Sequence, residues 1–220
     1  MIQSHGTIIT NAWAKSDWDT YIRTIESPKY ENYQGYYYEG RMRIEDMHKG
    51  ADHARIHALT SFAINLFCIM RGIPINGLVK CTYRKSEIIE CQPDLSYYIQ
   101  ELSKTSPIGS LIVNLDEQSI PNLVIEISNT TLADDLGAKR RIYEEIGVAE
   151  YWVVVAEYWI LDVPNIKIYA FNMLDRSSKQ LDISLAIPNL SIAIVTEALN
   201  RNKEQDQAQV GQWLMSQFQG

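Results

Sequence analysis

The chain has 220 residues, of which 46% are hydrophobic and 21% are charged, and its formal net charge is −7. This length and composition are those of an ordinary globular domain with a sizeable core. The negative charge argues against a protein that coats nucleic acid, because phosphate affinity comes from clustered lysine and arginine. No apolar run approaches the roughly 18 residues of a membrane span, and no secretory signal pattern is present, so we expect a cytoplasmic protein without a membrane segment.

The predicted elements alternate between helix and strand. In chain order they are a helix over 13–25, a hairpin turning at Glu39 and Gly40, a helix over 52–70, strands over 78–83, 88–91, 94–99 and 123–127, a helix over 135–146, and strands over 151–155 and 166–171. The order predicts an α/β fold. We expect an N-terminal helical extension over 1–30, the main domain over 31–200 and a C-terminal helix over 201–220. The strand at 123–127 and the strand at 151–155 should be parallel, joined by a right-handed crossover.

One carboxylate interrupts the most apolar of the predicted strands. Glu126 lies in the run LVIEISN, whose other residues are mostly apolar and β-branched and predict a buried strand. An ionised carboxylate in such surroundings is costly unless it is paired. The possible partners are a metal ion, a lysine or arginine, or backbone donors.

Lys139 is a candidate partner for that carboxylate. At about 100° per residue, the predicted helix places Lys139 in the apolar stripe formed by Leu136, Ile142, Tyr143 and Ile146. A lysine on the buried face of a helix needs a negative partner. Alternatively, Lys139 extends to the edge of the helix, or pairs with Asp135 as an ordinary surface ion pair.

Asp94 begins a predicted strand and is the second candidate carboxylate. It shares one face of that strand with Ser96 and Tyr98. Beside Glu126, it would complete a pair of carboxylates able to bind a hard cation such as Mg²⁺. The alternative is that Pro93 and Asp94 form an ordinary turn. Asp134 and Asp135, in contrast, are expected to cap a helix rather than bind a metal ion.

Three motifs in this order resemble the Uma-two family of restriction endonucleases. They are PDLSYYI, PNLVIEISNTT and DLGAKRRIYEEIGVAEYWVV, and the resemblance covers about residues 30–195. It implies the PD-(D/E)XK fold, a restriction endonuclease-like core with a mixed β-sheet flanked by helices. It also implies that Asp94, Glu126 and Lys139 are catalytic, with the lysine moved from the strand to the following helix. Ser128 stands where the standard motif has its lysine.

The resemblance implies a metal-dependent endonuclease that hydrolyses DNA, with double-stranded DNA as the expected substrate. Asp94 and Glu126 would bind Mg²⁺, or Mn²⁺ in its place, and Lys139 would orient the attacking water or stabilise charge on the phosphate. Glu39 and His53 match further family positions, but a lone histidine at a helix start is more often a surface or capping group. The alternative is a catalytically inactive nucleic-acid-binding or dimeric accessory protein that keeps the fold.

Substrate contacts and assembly follow from surface residues. Local basic stretches would contact the phosphates, namely Arg41 with Arg43, Lys80 with Arg84 and Lys85, and 139–141. The aromatic density of EYWVVVAEYWILDV and of residues 210–218 predicts a homodimer, because such residues on a surface often mark an interface. The alternative is that they complete the core of the monomer.

Overall fold

The computed structural model describes residues 10–47, 50–128, 131–158, 164–174 and 179–219. Within these ranges the chain forms eleven strands and six α-helices. The strands are β1 (Ala14–Lys15), β2 (Tyr33–Tyr38), β3 (Arg41–Asp46), β4 (Ile75–Val79), β5 (Thr82–Lys85), β6 (Ile89–Cys91), β7 (Leu95–Ile99), β8 (Ile112–Asn114), β9 (Leu123–Ser128), β10 (Glu150–Tyr158) and β11 (Pro164–Asn172). The helices are α1 (Trp18–Ile25), α2 (Ala51–Arg71), α3 (Leu132–Asp135), α4 (Ala138–Ile146), α5 (Ile192–Arg201) and α6 (Gln207–Phe218).

The described strands form two mixed sheets. The six-stranded sheet has the order β1-β3-β2-β6-β5-β8, and the five-stranded sheet has the order β11-β10-β9-β7-β4. Strands β9 and β10 are parallel, and α3 and α4 lie between them along the chain, so the predicted parallel pairing is confirmed. Two mixed sheets flanked by helices confirm the predicted α/β architecture.

Two apolar cores position the candidate site. On one face of the five-stranded sheet, Leu95, Ile125 and Trp152 pack in a core shared with α2, α5 and α6. On the other face, Val124 and Val153 pack in a core shared with α4 and the six-stranded sheet. Side chains alternate along a strand, so a polar group on this second face is enclosed between the two sheets and α4.

Two predicted elements have different boundaries in the structure. The helix predicted over 13–25 begins at Trp18, because the Asp17 side chain caps it by accepting a hydrogen bond from the Thr20 N–H. The strand predicted over 78–83 is two strands in different sheets, β4 and β5. Lys80 lies between them with a left-handed φ of 48°, and the chain changes sheet there.

The predicted hairpin and the second predicted helix are confirmed. Glu39 and Gly40 connect β2 and β3 with φ values of 50° and 69°, the left-handed conformation that a tight two-residue hairpin loop requires. The helix predicted over 52–70 is α2, which ends at Gly72 with a φ of 64°. Among the described residues, no helix combines the length and the apolar character needed to cross a membrane.

Several residues that predicted a dimer belong to the core of the monomer. Tyr151 and Trp152 in β10 are fully buried, and Leu214 and Phe218 in α6 pack against α2. Trp159, from the same aromatic run, lies outside the described residues. These four residues therefore support the alternative, in which the aromatic segments complete the core of the monomer. The homodimer stays a prediction, without these four residues as its basis.

Glu150 attaches the segment 184–186 to the sheet. Its Oε2 accepts hydrogen bonds from Ser184 Oγ and from the backbone N–H groups of Leu185 and Ala186, at 2.9, 2.8 and 2.7 Å. Trp152 Nε1 donates to the other oxygen. Burial raises the pKa of Glu150, and the four donors oppose that rise.

The substitution Glu150→Gln should lower the free energy of unfolding by about 1–3 kcal/mol, because an amide cannot accept hydrogen bonds at both ends and leaves buried donors unpaired. Urea denaturation would measure the loss. Glu204→Gln, at an exposed position, is the control and should change stability little. Equal stability of the two variants would contradict this role for Glu150.

Candidate active site

Asp94, Glu126 and Lys139 lie together between the five-stranded sheet and α4. Their exposed fractions are 3%, 2% and 2%. Lys139 Nζ lies 3.9 Å from Glu126 Oε2. Asp94 Oδ2 accepts a hydrogen bond of 2.8 Å from the backbone N–H of Ile127, the residue after Glu126. The structure therefore brings the three sequence-predicted residues into one cluster.

A break in the predicted helix precedes Lys139. The helix predicted over 135–146 is two helices, because α3 ends at Asp135 and α4 starts three residues later. A Cβ atom on Gly137 would lie 2.7 Å from the Ala133 carbonyl oxygen, so the close turn between the helices requires glycine. Lys139 nevertheless lies on the buried face of α4, as its spacing predicts.

Lys139 has three carboxylate neighbours. Its Nζ lies 3.0 Å from Asp135 Oδ1 and 3.2 Å from Glu45 Oε2, both nearer than Glu126. The alternative prediction therefore named a correct partner, Asp135, but the ion pair is buried and not on the surface. Burial alone would lower the pKa of Lys139, but the charges of Glu126, Asp135 and Glu45 raise it above its ordinary value. The side chain is thus held as an ammonium ion.

Glu126 is held by two phenol groups. Its Oε1 lies 2.6 Å from Tyr143 Oη and 3.0 Å from Tyr36 Oη. Burial raises the pKa of Glu126 to about 8, with Lys139 lowering it and Asp94 raising it further. The Glu126 carboxyl group therefore takes up a proton readily near neutral pH, until a cation nearby favours the charged form.

Asp94 shows the opposite behaviour. Burial would raise its pKa, but the contact with His53, the N–H of Ile127 and the charge of Lys139 lower it. His53 Nε2 lies 3.3 Å from Asp94 Oδ1, and His57 Nε2 lies 3.1 Å from the Asp94 carbonyl oxygen. The expectation that His53 is a surface or capping residue is wrong, since its side chain is buried beside Asp94.

Sequence reasoning missed the contribution of the hairpin. Gln34 pairs with Glu45 across β2 and β3, and Tyr36 pairs with Arg43, so the four side chains share one face. Glu45 accepts hydrogen bonds from Arg43 Nε at 2.5 Å and from Gln34 Nε2 at 2.9 Å. The alternation of Met42 and Ile44 with Arg43 and Glu45 is a visible signal of two faces. It does not show that the charged face points inward.

Asp134 and Asp135 do not cap a helix, contrary to the prediction. The cap of α3 is Thr131, which makes no capping hydrogen bond through its side chain. Asp134 accepts one hydrogen bond of 3.0 Å from Trp13 Nε1 and forms an ion pair of 2.8 Å with Arg43. Both aspartates therefore extend the ionic cluster around Lys139.

The predicted basic stretches are partly occupied by internal contacts. Arg43 is buried in its ion pairs with Glu45 and Asp134, and Lys139 is buried in the site. Arg84 is paired with Glu90 and with Glu26. Arg43 and Lys139 are therefore not surface residues, whereas Arg84 is 20% exposed and lies beside two carboxylates.

Comparison with known proteins decides the family. The model of the Uma2 family, described as "Putative restriction endonuclease", matches residues 18–200. The chain belongs to the Uma2 family. One similar solved structure is a putative nuclease belonging to DUF820 from Anabaena variabilis ATCC 29413, which is 17% identical, with 75% of this chain and 90% of that chain covered and a TM-score of 0.44. No curated protein matches.

Membership of the Uma2 family confirms the predicted resemblance and, with the two mixed sheets, the restriction endonuclease-like fold. It also supports a nuclease as the class of function. The family match does not assign the individual side chains. Their roles rest on the geometry of the cluster.

Asp94 and Glu126 are the residues of this Uma2 protein that would hold a metal ion. Asp94 Oδ1 is buried and has no hydrogen bond of good geometry, and Glu126 Oε2 faces Lys139 at 3.9 Å. Within the described residues, no three histidine, cysteine, aspartate or glutamate side chains are grouped to hold a metal ion by themselves. If a metal ion binds here, the protein would supply two carboxylates, and water or phosphate oxygens would complete the shell, as is common for Mg²⁺.

Proposed function

We propose that the protein is a metal-dependent endonuclease that hydrolyses phosphodiester bonds of double-stranded DNA. Asp94 and Glu126 would bind the metal ion, and Lys139 would be the third catalytic residue. The observation that supports this most directly is the position of Lys139 Nζ, 3.9 Å from Glu126 Oε2, with Asp94 fixed to the same strand through Ile127. Family membership supports the nuclease class.

Each residue would have a separate task. Bound Mg²⁺ or Mn²⁺ would supply Lewis-acid activation of the phosphodiester and of the attacking water. Asp94, with its lowered pKa, is already ionised at neutral pH and ready to bind a cation. Glu126 would release its proton when a cation binds. Lys139 keeps its positive charge, so it would stabilise negative charge on the phosphate or orient the attacking water.

One observation favours the second candidate function, an inactive nucleic-acid-binding accessory protein. The side chains of Asp94, Glu126 and Lys139 are nearly inaccessible, and Lys139 is nearer to Asp135 and Glu45 than to Glu126. A structural ion-pair cluster closes on itself in this way. Binding of a divalent cation at Asp94 and Glu126 would separate the two functions, because a purely structural cluster leaves no coordination site.

A cleavage assay tests the proposed function. Purified protein with supercoiled plasmid and Mg²⁺ should give nicked and linear DNA, and a chelator should stop the reaction. Mn²⁺ in place of Mg²⁺ and an RNA of matching sequence would define the metal and the substrate. No cleavage with either metal would contradict the nuclease and favour the accessory protein. A homodimer, which would place two sites against the two strands of a duplex, remains part of the proposal, as does the cytoplasmic location.

A further inference from the structure

One oxygen of Glu126 is enclosed by two tyrosines from different layers of the fold. Tyr143 on α4 lies 2.6 Å from Oε1, and Tyr36 on β2 lies 3.0 Å from the same atom. Both tyrosine side chains are fully buried. Tyr143 follows Lys139 by four residues, so one face of α4 supplies both the ammonium group and a phenol group to the cluster.

The two phenol groups differ in how firmly they donate. Each hydroxyl group has one proton to donate. For Tyr143, the acceptor that the structure shows among the described residues is Glu126. Tyr36 Oη also lies 2.9 Å from the carbonyl oxygen of Gln92, so its proton has two possible acceptors. Tyr143 is therefore the firmer donor to Glu126.

The contacts with Tyr143 and Tyr36 occupy one oxygen of Glu126 and leave the other for a metal ion. Donors converge on Oε1, while Oε2 points toward Lys139 at 3.9 Å. Hydrogen bonds from surrounding residues commonly fix the orientation of a metal-binding side chain. We propose that Tyr143, assisted by Tyr36, is a positioning residue that turns Glu126 so that Oε2 is presented to the metal ion. This inference rests on the proposed metal-dependent function.

Removal of each hydroxyl group tests the inference without DNA. Calorimetric titration with Mn²⁺ should give a dissociation constant about 10- to 100-fold higher for Tyr143→Phe than for the wild type, the usual range for residues that support a metal ligand. Tyr36→Phe should show a smaller increase. Tyr21→Phe is the matched control, because Tyr21 is equally buried and donates to the buried Glu90 at 2.7 Å, outside this site. Its dissociation constant should equal that of the wild type.

The outcomes separate this inference from the proposed function. Unchanged Mn²⁺ binding by Tyr143→Phe, or an equal loss in Tyr21→Phe, would overturn it, as would a wild type that binds no Mn²⁺. A wild type that binds Mn²⁺ but does not cleave DNA would contradict the nuclease proposal. The comparison of Mn²⁺ dissociation constants would still decide whether Tyr143 positions Glu126. Thermal unfolding without metal would check that the variants fold. If Tyr143→Phe does not fold, Tyr36→Phe decides by the same criterion.

Discussion

Replacing Lys139 with methionine is expected to lower the free energy of unfolding by about 3–5 kcal/mol, the range observed when one partner of a buried ion pair is removed. The substitution keeps an unbranched side chain but removes the only charge that lies within 3.2 Å of both Asp135 and Glu45 among the described residues. In the variant, Asp135 stays buried without its lysine partner, and Glu45 keeps only its ion pair with Arg43. Urea denaturation of the wild type and Lys139→Met at pH 7 would measure the difference.

A lysine-to-methionine substitution at a surface position provides the control for the loss of stability. Lys104 is 70% exposed and pairs with an exposed glutamate, Glu101, so Lys104→Met should change stability little. Adding Asp135→Asn to Lys139→Met should recover part of the loss, because one uncompensated charge is removed. Similar stability of the Lys139 and Lys104 variants would show that the buried cluster is not held by the Lys139 charge.

The second large effect is a change in the pH dependence of stability in Glu126→Gln. The folded pKa of Glu126, about 8, lies above the ordinary glutamate value of 4.5, so the native state keeps a proton that the unfolded state loses between these pH values. The contribution of Glu126 is therefore fully present at low pH and is lost as pH rises toward 8. Glutamine resembles the protonated group and does not titrate. Relative to the wild type, Glu126→Gln should gain on the order of 3 kcal/mol between pH 5 and pH 9.

Urea denaturation of both proteins at pH 5, 7 and 9 would measure this gain. Histidines and other titrating groups away from Glu126 are common to the two proteins, so their contributions cancel in the difference. A difference in stability that stays constant from pH 5 to pH 9 would contradict the raised pKa of Glu126.

The sequence carries a strong signal for the position of Lys139. Its spacing from Ile142, Tyr143 and Ile146 places it on the apolar face of α4, and the break at Gly137 does not change that face. The signal survives because helical periodicity is a local property of the chain. The signal for Glu126, a carboxylate within an apolar strand, is also local, and the Glu126 side chain is buried.

The partners of Lys139 could not be predicted in the same way. Glu45 lies 94 residues before Lys139 along the chain, on a hairpin whose alternation shows two faces but not which one is covered. That choice depends on the docking of the six-stranded sheet against the five-stranded sheet. The division of 78–83 between two sheets has the same origin, because apolar alternation continues through Lys80 where the chain changes sheet.

The aromatic C-terminal segment shows a further limit of sequence reasoning. Leu214 and Phe218 have the composition of an interface, but Phe218 packs against Phe67 of α2 with ring centroids 4.9 Å apart. Composition alone cannot distinguish an interface with a second chain from a contact inside one chain. The structure places this part of the predicted dimer surface inside the monomer.

Cleavage of supercoiled plasmid by the wild type and by Glu126→Gln, side by side with Mg²⁺, tests the central claim most directly. Glu90→Gln is the matched control, since Glu90 is also buried and accepts a hydrogen bond from a tyrosine, but lies outside the site. The account predicts nicked and linear DNA with the wild type and Glu90→Gln, and intact supercoiled DNA with a folded Glu126→Gln. Cleavage by Glu126→Gln at the wild-type rate would contradict it and make Glu126 a structural residue.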